Sequence, residues 1–183
     1  MAFRIEDVSK RMQSEGFEYC AMVTTLSLDA YSGMCSMGKP PSMKPRGSVL
    51  NCSRLETVDD TNETVPQWFM FVEGEDFHKE DYSRRHLIFV RIDPSRVANE
   101  SNTRFCLGGD WRYETDFMPM IHWQSVAAEF DGITVDPARF DARSVFPMWD
   151  VDTLSIWDRA CITHARAFKN AGEWMYSEET VLC

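Results

Sequence analysis

Cys161 and His164 stand three residues apart, a spacing at which a thiol and an imidazole can share one face of a helix. Such a pair supplies half of a structural zinc site, and the same two groups could serve as nucleophile and base. Nothing in the sequence completes either set. The six cysteines, at positions 20, 35, 52, 106, 161 and 183, are scattered, with no close Cys pair of the kind zinc sites use. Reduced, packed thiols are the expectation, with no metal. Three Asn-x-Ser/Thr acceptors, at Asn51, Asn62 and Asn99, would matter only in a secreted chain. Met1 to Met12 is broken up by Arg4, Glu6, Asp7, Lys10 and Arg11 and offers no apolar signal stretch, so the expected location is cytoplasmic.

The elements that must position any chemistry follow from length and patterning. At 183 residues the chain is expected to form one domain, and about 70% of its extended surface would be buried on folding. Hydrophobic residues at 44% and charged residues at 26% are ordinary for a globular protein and argue against disorder or a coiled coil. The net charge of −10 argues against a phosphate-tracking surface, so nucleic acid is an unlikely partner. Apolar stretches such as Trp68 to Val72 and Leu87 to Val90 are far too short to span a bilayer. Twelve Phe, six Trp, five Tyr and eleven Met imply a thick core or an apolar recognition surface.

Ile5, Val8 and Met12 recur at helical spacing before Gly16, which predicts an amphipathic helix capped by that glycine. Phe17 to Leu28 reads as a first strand. Asp29 to Gly47, with three glycines and three prolines, reads as a long loop of the kind that often carries function. Ser48 to Leu50 is a short strand, and Glu56 to Thr64 an exposed connection. His86 to Ile92 is an apolar strand stopped by Asp93 and Pro94. Trp123 to Phe130 has helical spacing, Ile133 to Val135 and Leu154 to Trp157 read as strands, and Arg159 to Phe168 as a helix. The order predicts an α+β domain with mostly antiparallel pairing.

Some of these segments carry a further pattern. Phe130, Asp131, Gly132 and Ile133 follow a helix bearing Trp123, Val126 and Ala127. Leu154, Ser155, Ile156, Trp157, Asp158 and Ile162 then supply a hydrophobic strand and a turn ending in Ile. Upstream, Leu87 to Pro94 is a hydrophobic strand stopping at Asp-Pro, and Lys44, Pro45, Arg46 and Gly47 lead into Ser48. In this order, over about two thirds of the chain, the patterns resemble ADP-ribosyltransferase-like proteins encoded by phages and bacteria.

The resemblance implies two small, mostly antiparallel sheets packed with flanking helices, and NAD bound as a substrate in a cleft between the sheets. It implies a polar residue on the first strand that holds a ribose, a place taken here by Thr24 or Thr25 where many members carry His or Arg. Ser48 would line the cleft. A late strand would bring a carboxylate to stabilise the oxocarbenium character that develops as the nicotinamide bond breaks. The position of the family's catalytic Glu falls on Thr153, which cannot carry that charge, and the carboxylates close by are Asp150 and Asp152. In a regular strand both point to the face opposite Thr153, and a bend after Pro147 could re-aim Asp150.

Each pattern also has a purely structural reading. Asp-Gly after an aromatic residue is a turn signal in any fold, and Asp152 or Asp158 can cap neighbouring segments. Two other functions therefore stand beside the transferase. One is an inactive binding or inhibitor module whose acidic, aromatic-rich surface meets a protein partner with a basic surface. The other is a structural assembly component using the 29–47 loop.

Overall fold

The computed structural model describes residues 1–31, 48–99, 112–114, 119–136 and 151–183. In chain order the elements are β1 (Ala2–Arg4), α1 (Ile5–Ser14), β2 (Tyr19–Val23), β3 (Leu50–Val58), β4 (Glu63–Pro66), α2 (Gln67–Glu75), α3 (Lys79–Tyr82) and β5 (His86–Ile92). They continue with β6 (Val97–Ala98), β7 (Arg112–Glu114), β8 (Pro119–Ile121), α4 (Trp123–Ala127), β9 (Gly132–Val135), β10 (Thr153–Ile156), β11 (Ile162–Gly172) and β12 (Met175–Val181). The protein is a mixed α+β structure with a large, mostly antiparallel sheet and few helices. No helix among the described residues is long and apolar enough to cross a membrane.

The chain divides into two compact units, Met1–Leu28 with Cys52–Ile92 and Ile162–Cys183, and Asp29–Asn51 with Asp93–Cys161. In the first unit strands run in the order β1, β12, β11, β5, β2, β3, with β4 added to β3, and each neighbouring pair is antiparallel. This sheet is larger than either of the two small ones expected. Part of the reason lies in Arg159–Phe168, which is not a helix. A short 3-10 turn at Arg159–Cys161 leads into β11, where Ala165 pairs with Val90 and Ala167 with Ile88. Both alanines are buried, while His164 and Arg166 between and beside them are not, which is strand alternation. The segment between Glu56 and Thr64 likewise pairs, as the β3–β4 hairpin, instead of standing off as a connection.

α1 buries Ile5, Val8 and Met12 against Phe17, Met22, Leu55, Phe89, Phe168 and Tyr176. Each of those three side chains contributes at most about 1.5–3 kcal/mol of burial energy. The helix ends as the sequence predicts, with Gly16 at φ +87°; its N–H donates to Gln13 O at 2.9 Å, and the Phe17 N–H to Met12 O at 3.0 Å. β5 is buried along Leu87–Val90, consistent with its uninterrupted apolar run. Its stop is an Asx turn: the Asp93 carboxylate accepts from the Ser95 N–H (2.9 Å) and hydroxyl (2.7 Å).

The second unit is centred on Val49, Ala98, Ile121, Trp123, Val126, Ile133, Val135 and Trp157. Here β9 pairs antiparallel with β10 and parallel with β6, and β7 pairs with β8.

Candidate functional site

The Phe130-Asp131-Gly132-Ile133 segment is the junction of the second unit. The Asp131 backbone N–H donates to Arg96 O at 2.9 Å, and its carbonyl accepts from the Trp157 and Asp158 N–H groups, each at 3.0 Å. Its carboxylate is paired with the Arg96 guanidinium. The Trp157 indole N–H donates to Phe130 O at 2.8 Å. Gly132 lies so close to β10 that an added Cβ would sit 2.7 Å from the backbone oxygen of Ser155. The glycine is therefore required by close backbone approach. These bonds tie the turn between α4 and β9 to Arg96, just ahead of β6, and to the end of β10, so Asp131 is a positioning element for β10.

At the head of β10 stands Asp152, 7% exposed and the one carboxylate in the buried class among the described residues. Acidic side chains are almost never buried without a partner or a purpose, which makes Asp152 the centre of the candidate site. Its neighbour Thr153 donates its hydroxyl to Val151 O at 2.8 Å and so shapes the entry to the strand. Leu154, Ser155 and Ile156 follow, all buried, and the Ser155 hydroxyl donates to Asn51 Oδ1 at 2.6 Å. β10 is thus locked at its middle by a polar side-chain bond and along its length by β9. That rigidity fixes the backbone from which Asp152 projects.

Ser48 belongs to the same unit; it is exposed, two residues ahead of β3. Thr24 and Thr25 belong to the first unit and are exposed just past the end of β2, so they follow the strand expected over Phe17 to Leu28 and do not sit on it. Thr25 Oγ1 lies 3.4 Å from the Ser27 N–H, a local turn bond. Asp150, Lys44–Gly47 and most of the 29–47 loop lie outside the described residues. Asp158, one of the proposed capping residues, does cap: its carboxylate accepts from the Ala160 N–H at 2.8 Å.

The Cys161 and His164 pair does not form the helix face its spacing allows. Cys161 ends a 3-10 turn, and His164 stands exposed on β11. Burial, then the nearby Asp131 carboxylate, pushes the Cys161 thiol up to about 12, the reverse of what a nucleophile needs. Cys20, also buried, is raised by burial as well. No group of three or more His, Cys, Asp or Glu among the described residues is arranged to hold a metal ion.

Sequence reasoning missed Arg96 as the partner of Asp131. The available signal was the Asp-Pro-Ser-Arg run, a turn that returns the chain beside β9. The short apolar stretch Trp68 to Val72 lies within α2. No protein-family model, curated protein or solved structure matches the chain.

Proposed function

We propose that the protein is an ADP-ribosyltransferase-like enzyme of the cytosol that takes NAD as substrate, with Asp152 as its carboxylate. The observation that carries this reading is the burial of Asp152 at the head of β10, beside the position where the resemblance expects the acidic residue. A carboxylate held out of water interacts strongly with developing positive charge, because little solvent screens it. In the reaction, the bond between nicotinamide nitrogen and ribose C1′ breaks and nicotinamide leaves with the bonding pair. An acceptor hydroxyl, or water, forms the new bond to C1′ and releases its proton. Ser48, exposed in the same unit, carries a hydroxyl that could bond a ribose oxygen, and Asp150 is the second carboxylate candidate.

The test is nicotinamide release from NAD by the purified protein. Release is expected from the unaltered chain and a loss of at least about a hundredfold from Asp152→Asn, the scale of removing one electrostatic stabiliser. Undiminished release from an Asp150→Asn, Asp152→Asn double variant would remove the proposed site. The Asn variants keep the shape of the side chain, and circular dichroism checks that they fold.

A further inference from the structure

Away from Asp152, the first unit carries an aromatic cluster that begins at its core, where Trp68 and Tyr82 pack, and reaches the surface at Met70 and Phe77. Trp68 and Phe71 of α2 stack with ring centroids 4.9 Å apart, and Phe77 and Tyr82 close edge-on against Trp68 at 5.9 and 5.7 Å. Met70 is 38% exposed and Phe77 40%. Phe77 is held there by its backbone: Asp76 and His78 on either side both have positive φ, +52° and +48°. Non-glycine residues in that region carry strain, and a pair of them around an exposed aromatic ring points to function.

The charges around this surface show what it suits. Residues 73–85 hold five carboxylates, Glu73, Glu75, Asp76, Glu80 and Asp81, and three strong cations, Lys79, Arg84 and Arg85. Each cation is tied to one acid: Lys79 to Glu73 at 2.7 Å, Arg84 to Glu80 at 3.5 Å and Arg85 to Asp81 at 2.6 Å. Five less three leaves two, Glu75 and Asp76, both exposed and next to Phe77. Asp76 also lines a shallow hollow of about 650 Å³ with His78, Lys79, Glu80, Asp81 and Arg84. The aromatic rings here already accept a guanidinium, since Arg85 lies 4.0 Å over the Tyr82 ring.

We propose that the α2–α3 surface docks a cationic, amphipathic protein segment. Its apolar side chains lie on Met70, Phe71 and Phe77, and an Arg or Lys side chain enters the hollow beside Asp76. The rings supply desolvated contact area, and the two surplus carboxylates supply charge complementarity, reinforced by the chain's net charge of −10.

The probe is a short synthetic peptide of alternating Arg and Leu, titrated calorimetrically into the full chain. Binding is expected, weakening about tenfold or more between about 0.05 and about 0.5 M salt as the screening length shrinks. Glu75→Gln with Asp76→Asn should weaken it about tenfold, and Asn tolerates the positive φ at position 76. Met70→Ser should weaken it about threefold or more without touching a charge. Asp59→Asn with Asp60→Asn removes the same charge from the exposed β3–β4 turn and should change affinity less than twofold. The proposal is overturned by no binding, by equal binding of a Glu-Leu peptide, by equal loss in the Asp59, Asp60 control, or by preference for phosphatidylcholine vesicles over the peptide.

Discussion

Two helices of the first unit end in the same way and to different purpose. At the end of α1, Gly16 takes positive φ and the Phe17 N–H donates to Met12 O at 3.0 Å; at the end of α2, Asp76 takes positive φ and the Phe77 N–H donates to Val72 O at 3.2 Å. Each cap is followed by a phenylalanine. Phe17 is 2% exposed, with the Arg91 guanidinium 4.7 Å over its ring, whereas Phe77 is 40% exposed. The first cap uses the residue that adopts the conformation at no steric cost and hides the ring. The second uses a costlier residue and shows the ring. The same kind of cap, a residue at positive φ followed by an N–H bonded five residues back, thus serves folding in one place and display in the other.

Three measurements can break or sharpen that contrast. The largest effect is expected from truncating the rings: Phe17→Ala should cost about 3–5 kcal/mol in urea denaturation and Phe77→Ala under about 1 kcal/mol. Equal costs would make Phe77 a core residue and remove the motive for a docking surface.

Next in size is an exchange at the caps. Gly16→Ala should cost about 1–2 kcal/mol, because it meets both the positive φ and the Arg91 guanidinium, 3.2 Å from the added Cβ. Asp76→Gly should be neutral or stabilising by up to about 1 kcal/mol, since glycine relieves the strain. A destabilising Asp76→Gly would show that the aspartate side chain, and not display of Phe77, explains its presence.

The smallest effect probes the start of β5, just past α3. His86 Nδ1 accepts the Asn170 N–H at 2.9 Å, and burial, then Lys169, holds the imidazole below its usual pKa. The unfolded chain takes up a proton near pH 6.5 that the folded chain resists, so stability is full above that pH and declines as pH falls below it. The decline, followed by melting temperature from about pH 7.5 to about pH 5.5, should be shallower in His86→Asn, which keeps an acceptor without a titration. An unchanged slope would assign the pH dependence to other groups.

Where a local signal and the tertiary context agreed, the sequence was readable. Ile5, Val8, Met12 and Gly16 announced α1, and the apolar run with Asp93-Pro94 announced β5 and its stop. β11 is hidden in the sequence because Ala165 and Ala167 favour a helix in isolation, while long-range pairing with Val90 and Ile88 makes them strand residues. The β3–β4 hairpin was hidden by polar residues such as Glu56, Thr57 and Thr64. Thr57 and Thr64 in fact meet across the strands with their hydroxyls 3.0 Å apart. For the site, Asp152 came into view only through the resemblance, since burial of a carboxylate leaves no mark on the sequence. The ordering of Phe130-Asp131-Gly132 is visible in the sequence; the Asp-Pro-Ser-Arg run shows a turn at Arg96, but its pairing with Asp131 depends on β6 lying beside β9, which is a long-range contact.

The placement of β5 between β2 and β11 has a consequence for biosynthesis. When β5 leaves the ribosome its second neighbour has not been made, and residues 93–161 must emerge before β11 can close that side. Throughout that interval Leu87, Ile88, Phe89 and Val90 present an open, apolar strand edge, the kind of surface that chaperones shield and that nucleates aggregates.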